Sequence, residues 1–195
     1  MKKLTLMSVI PLVCILVNAQ PPALKPLSVG DTVPEVVMPY MYNYPSTSLK
    51  ISDLKGKLVI LDFWAIWCHG CLQDIAKLDS LQKEFQNQIQ IVLVNDVGER
   101  DTLANKQKTI AFIDKLKSES ANSFSLPSSL KRIESLEKLF PHVFIPHYVW
   151  LSGDGKVIGF TNSEQVNRIN ITKILKGQPN PIILKSVKKS PLTQK

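Results

Sequence analysis

From Leu58 to Trp64 the chain reads Leu-Val-Ile-Leu-Asp-Phe-Trp, apolar throughout except for one carboxylate. A strand with one solvated face alternates apolar and polar residues, so this run predicts a central strand of a covered sheet. Ile89 to Val94 predicts a second buried strand, closed by the turn residues Asn95, Asp96 and Gly98. Between them Leu72, Ile75, Leu78, Leu81 and Phe85 recur at helical spacing and predict a helix running on from Cys71. Upstream, Lys55-Gly56-Lys57 makes a turn, and weak strand signals near Val36 to Met38 and Ser48 to Ile51 predict an N-terminal hairpin or edge strand.

The second half of the chain continues the alternation. Leu103 to Leu116 predicts a helix with Leu103, Ile110, Ile113 and Leu116 on one side. A short extended piece is expected near Phe124 to Leu126, then a helix from Ser129 to Leu139, with Pro141 at or just beyond its end. His147 to Leu151, the turn Ser152-Gly153-Asp154-Gly155, and Lys156 to Thr161 form a strand-turn-strand pattern. Asn162 or Ser163 is expected to cap a last helix through Leu175, which Gly177 ends. Strand, helix, strand, helix, hairpin, helix implies a mixed sheet between helical layers. No internal repeat is visible.

At 195 residues the chain can bury a core without disulfide staples. Residues 1–19 read as a secretory signal: Lys2 and Lys3, the apolar stretch Leu4 to Val17, and the small-residue site Val17-Asn18-Ala19. That stretch is shorter than the roughly 20 residues that span a bilayer, and Pro11 interrupts it, which disfavours a retained anchor. Lipidation at Cys14 is disfavoured by Val13 before it. Residues 20–28, with Pro21, Pro22 and Pro26, read as an extended linker, 29–176 as the domain, and 177–195 as a flexible basic tail. Removal of Lys2 and Lys3 takes the formal charge from +8 to +6. The tail carries Lys185, Lys188, Lys189 and Lys195 with no acidic residue after Glu164. No aromatic residues interleave these lysines, so nucleic-acid binding has little support.

Of three cysteines, only Cys68 and Cys71 remain once the signal is removed. One close pair in an exported chain is there to react or to bind metal, since it staples no scaffold. The pair lies in Trp67-Cys68-His69-Gly70-Cys71, between the first buried strand and the start of a helix. There the unpaired N–H groups and the helix dipole favour an anion, so a thiolate at Cys68 is stabilised. C-x-x-C also occurs in zinc sites and by chance, but zinc wants four ligands, or three and water, and Cys71 is poorly spaced to share a metal with His69.

The chain resembles the thioredoxin superfamily, and within it the exported TlpA-like or ResA-like disulfide oxidoreductases, over about Val29 to Leu175. Lys57 to Cys71 carries the pattern D-F-W-A-x-W-C-x-x-C. Ile145-Pro146 stands where the family has a cis-proline, and Gly153-Asp154-Gly155-Lys156-Val157 matches its D-G-K hairpin. Leu61-Asp-Phe-Trp64, Phe140-Pro141 and Pro146-His-Tyr-Val-Trp150 are similar to forms common in Bacteroidetes.

The resemblance implies a thioredoxin fold: a central mixed sheet flanked by helices, with an N-terminal β-hairpin extension and an extra helical segment before the cis-proline strand. It implies Cys68 as nucleophile, Cys71 as the resolving cysteine of a redox-active Cys68–Cys71 disulfide, and Asp62 as a buried proton acceptor for Cys71. A satisfied polar residue at the strand's end is the alternative for Asp62. Trp67, Ile145 and Pro146 would contact substrate, and Trp64 would serve the core. The family's Gly-Pro between the cysteines is replaced here by His69-Gly70, which would modulate the potential and leaves the direction of reaction open. His142 and His147 read as surface or packing residues, with reach into the site the alternative for His147, which follows Pro146. No metal or organic cofactor is implied. The implied partners are disulfide-containing exported proteins, apocytochrome c among them, and a membrane thiol-disulfide electron donor. The protein would act as a monomer in the bacterial periplasm. The expected activity is thiol-disulfide oxidoreduction in the reducing direction; an oxidase or isomerase with the same site, or a peptide-binding module with incidental cysteines, are the competing readings.

Overall fold

In the computed structural model, residues 24–97, 101–119, 124–179 and 182 are described. The expected signal segment with Cys14, the turn residue Gly98 and the lysines from Lys185 onward lie outside the described residues.

The strands are β1 (Val37–Pro39), β2 (Met41–Tyr42), β3 (Ser48–Lys50), β4 (Leu58–Trp64), β5 (Ile89–Asn95), β6 (Ser128–Ser129), β7 (His147–Leu151) and β8 (Val157–Thr161). The helices are α1 (His69–Phe85), α2 (Leu103–Glu119), α3 (Glu134–Leu139) and α4 (Arg168–Leu175). A six-stranded sheet runs β2-β6-β5-β4-β7-β8, and β1 and β3 pair separately as an antiparallel ribbon. Strand β4 is parallel to β5 and antiparallel to β7, so the sheet is mixed, as expected.

Every residue of β4 is buried, because the sheet is covered on both faces. Alternation divides its side chains. Val59, Leu61 and Phe63 meet Met38 and Leu49 of the ribbon and Leu136, Leu139 and Phe140 around α3. Leu58, Ile60 and Trp64 meet Ile75 and Leu78 of α1, Ile113 of α2 and Ile171 of α4. Asp62 shares the register of Ile60 and Trp64 and therefore lies on the α1 face. Six-residue α3 is too short to hold as an isolated helix, so its apolar contacts with the sheet stabilise it.

Three expectations differ from the structure. The buried stripe of α2 runs through Thr109 and Ile113, with Phe112 and Leu116 half-buried, whereas Leu103 is 70% exposed. Thr109 satisfies its hydroxyl by donating to Asn105 O at 3.0 Å one turn back, which lets a polar residue occupy the stripe. Ser129 belongs to β6 rather than to a helix, and α3 begins only at Glu134. Ser129 Oγ accepts from Asn95 N (2.8 Å) and donates to Lys131 O (3.0 Å), a local bonding pattern that competes with helix. The last helix is split into a short 3-10 turn, Ser163–Gln165, and α4. Asn167 starts α4 afresh, its side chain accepting from Asn170 N at 2.9 Å.

Two flanking residues pack onto the domain. Leu27, in the stretch read as linker, donates its N–H to Leu139 O at 2.9 Å. Ile182, in the stretch read as tail, is buried against Gly159 of β8, where a Cβ would stand 2.9 Å from its Cγ2. No helix among the described residues is long and apolar enough to cross a membrane.

Candidate active site

Strand β4 ends at Trp64, and the turn Ala65-Ile66-Trp67 delivers Cys68 to the cap of α1, with Cys68 N donating to Ala65 O at 2.9 Å. Cys68 is extended at the cap and its sulfur takes the place of the usual Ser or Asp oxygen, accepting from Cys71 N at 3.2 Å. Cys68 and Cys71 form a disulfide with S–S 2.07 Å and Cα–Cα 5.3 Å. Cys68 is 8% exposed and Cys71 fully buried, so the capping sulfur is the one that solvent reaches. A sulfur that already receives an N–H and sits at a positive helix end is stabilised as an anion once the bond opens.

The other residues implied by the resemblance fall into three positions. The Ile145-Pro146 peptide bond is cis, and Pro146 Cδ lies 3.8 Å from where a Cβ on Gly70 would stand, so this loop abuts the first turn of α1. Ile145 is half-buried against both core layers, while Val143 and Phe144 (79% exposed), just before it in the chain, and Trp67 (50% exposed), beside Cys68, meet solvent. Trp64 is completely buried and packs on Phe112. His69 is exposed, its Nε2 3.1 Å from Gln73 Nε2 one turn along the helix.

Asp62 is completely buried and neither of its oxygens has a hydrogen-bond partner. Desolvation, with the charge of Asp74 adding to it and Lys77 opposing it, pushes the carboxyl well above the usual carboxylate range. A carboxyl in that setting holds its proton to a higher pH than an exposed one.

Around it lies a polar chain that sequence reasoning missed. Tyr148 is the cross-strand partner of Asp62. Its hydroxyl donates to Asp74 Oδ2 at 3.1 Å, and burial together with the Asp62 and Asp74 charges drives the phenol far above its ordinary value. Lys77 Nζ pairs with Asp74 Oδ1 at 3.0 Å and donates to Ser163 O and Oγ at 3.0 and 2.9 Å. The i,i+3 spacing of Asp74 and Lys77 on α1 is legible in the sequence; their meeting with Tyr148 depends on strand pairing.

A mixed sheet whose central strand feeds a disulfide at a helix cap, with a cis-proline loop beside it, defines a thioredoxin-fold protein with a thiol-disulfide centre. Residues 29–128 match the model of the AhpC/TSA family, and the chain belongs to that family. Among curated proteins it is similar to the thioredoxin-like protein YneN of Bacillus subtilis, 44% identical over 45 residues (23% of this chain, 26% of that one). It is similar also to the thiol-disulfide oxidoreductase ResA of the same organism, 44% identical over 52 residues (26% and 28%). These matches span only about a quarter of each relative's length. Among solved structures it is similar to the pneumococcal exposed lipoprotein thioredoxin Etrx1 from Streptococcus pneumoniae strain TIGR4, at TM-score 0.52 and 22% identity, covering 67% of this chain and 91% of that one. At that identity the likeness speaks to the fold.

Proposed function

We propose that the protein is an exported thiol-disulfide oxidoreductase that reduces disulfides in extracytoplasmic proteins. The observation that carries this reading is the Cys68–Cys71 pair itself, with the outer sulfur capping α1 and accepting from Cys71 N, and the inner sulfur buried. In the reduced protein the Cys68 thiolate attacks one sulfur of a substrate disulfide, and the other substrate sulfur leaves as a thiolate. Asp62, when ionised, takes the proton from Cys71. The Cys71 thiolate then attacks Cys68 Sγ, expels the first substrate sulfur and closes Cys68–Cys71. Two electrons pass from the dithiol to the substrate disulfide, and the leaving thiolates take up protons. Trp67 and the Ile145-Pro146 loop flank the bond and hold the extended substrate segment.

The N-terminal pattern of residues 1–19 supports export, and the resemblance to ResA-like proteins supports a membrane thiol donor as the group that resets the pair and cytochrome c maturation as the setting. The deciding measurement is the reduction potential of Cys68–Cys71 in glutathione and dithiothreitol buffers. A value near or below about −270 mV is expected for the reductase, and one near about −120 mV would reverse the direction to oxidase or isomerase. Absence of any reversible couple would sink the enzyme and leave a peptide-binding module.

A further inference from the structure

His142 and Asp96 are 46 residues apart in sequence and belong to neither side of the cysteine pair, yet they meet where the cis-proline loop begins. His142 Nδ1 lies 2.8 Å from Phe140 O, the residue that ends α3, and Nε2 lies 3.0 Å from Asp96 Oδ2. Both ring nitrogens thus lie within hydrogen-bond distance of fixed oxygens, and the ring is held in orientation from two sides. Asp96 in turn is fixed to the catalytic strand: its N–H donates to Trp64 O at 2.7 Å, four residues before Cys68. The hydrogen bond from His142 holds the Asp96 carboxyl below the usual carboxylate range.

The ring is also clamped by packing. It stacks on His147 with centroids 4.7 Å apart and planes 8° from parallel, and it meets Phe63 of β4 at 4.6 Å. His147 stacks in turn on Phe160 of β8. From His142 to Pro146 the chain forms no helix or strand and exposes Val143 and Phe144, while Ile145 reaches inward to the core. The loop that abuts Gly70 is thus tied at its near end to the end of β4 and β5, the same strand ends that set the position of Cys68.

We propose that His142 is a positioning residue: through Asp96 and Phe140 it fixes the Val143–Pro146 loop over the cysteine pair, so that a protein substrate meets a preformed surface. The proposal rests on the thiol-disulfide reading above for the word substrate, but the ordering of the loop stands apart from it. A fixed loop lowers the ordering cost of docking an extended segment, and it changes neither the sulfur chemistry nor the reaction of a small disulfide that needs no loop.

The test uses His142→Phe, which keeps an aromatic ring against Phe63 and His147 and removes both hydrogen bonds. Asp96→Asn, which leaves the His142 ring in place, serves if the first variant folds poorly. Insulin reduction driven by dithiothreitol reports on a protein substrate, and single-turnover reaction of the prereduced protein with 5,5′-dithiobis(2-nitrobenzoate) reports on a small one. Amide hydrogen exchange reports on Val143, Phe144 and Ile145. The expected result is a KM for insulin raised about tenfold, equivalent to ~1.4 kcal/mol, with kcat and the small-disulfide rate within about twofold of the parent. The three loop amides should exchange about tenfold faster. Unchanged loop exchange would overturn the proposal, as would equal losses on both substrates or faster exchange with an unaltered KM. A parent protein inert toward both disulfides would overturn the thiol-disulfide reading and the substrate role with it, while the exchange comparison would still decide whether His142 orders the loop.

Discussion

Replacing Asp62 by asparagine removes a charge while keeping the shape of the side chain, and its effect on stability follows from where the carboxyl sits. Both oxygens are fully buried with no hydrogen-bond partner, and burial pushes the carboxyl well above the ordinary carboxylate value. In the unfolded chain Asp62 releases its proton near that ordinary value; in the native protein it holds on. Between the two values the native state binds more protons than the unfolded state, so stability is greatest below the unfolded value and declines as pH rises toward the native one. Asparagine has no such slope. A buried polar group left without a partner costs about 1–3 kcal/mol, and more when charged. The Asp62→Asn protein should therefore match the parent near pH 4 and exceed it by at least about 2 kcal/mol by pH 9. For a chain of this length that is a gain of about 4–8 °C in Tm. Urea unfolding of the oxidised proteins from pH 4 to pH 9 provides the comparison. Asp96, whose carboxyl is held low, contributes the opposite slope, lost as pH falls, but it is present in both proteins and cancels in the difference. A difference that stays flat across this range would refute the reasoning, because it would mean that Asp62 ionises as an exposed carboxylate does.

Two further changes probe contacts within and against the sheet. Gly159→Ala places a Cβ 2.9 Å from Ile182 Cγ2, so the Ile182 side chain must shift. A loss of about 1 kcal/mol in urea unfolding is expected, relieved in the double variant with Ile182→Ala, and equal losses in both backgrounds would show that Ile182 is not the obstacle. Ser129→Ala leaves the buried Asn95 N–H without its acceptor. It should cost about 1–3 kcal/mol and speed hydrogen exchange at Asn95, whereas an unchanged Asn95 amide would count against that bond.

The long apolar runs, the helix that follows Cys71 and the hairpin around Gly153-Asp154-Gly155 were legible from pattern alone, because each depends on neighbours within one turn or one strand. The cysteine spacing and the position of Asp62 six residues upstream were legible for the same reason. The misread elements are those in which polar residues fill interior places. Thr109 lies on the buried stripe of α2 in place of Leu103, and the Ser128-Ser129 pair forms a strand that no hydrophobic signal marks. Their burial is stabilised by hydrogen bonds to Asn105 O, Asn95 N and Lys131 O, partners that a one-dimensional pattern does not identify.

By itself the sequence determined the order of the long elements and the delivery of two sulfurs to the cap of a helix, since these follow from local periodicity and from spacing along one chain. Tertiary structure alone decided what surrounds those sulfurs. Strand pairing sets Tyr148 opposite Asp62, packing brings Asp74 and Lys77 onto that chain, and the end of β5 meets the start of the Ile145-Pro146 loop through Asp96 and His142. The contacts of Tyr148 with Asp62 and Asp74, and of His142 with Asp96, join residues 46 to 86 positions apart, and their electrostatics depend on burial that arises only when the two layers close over the sheet.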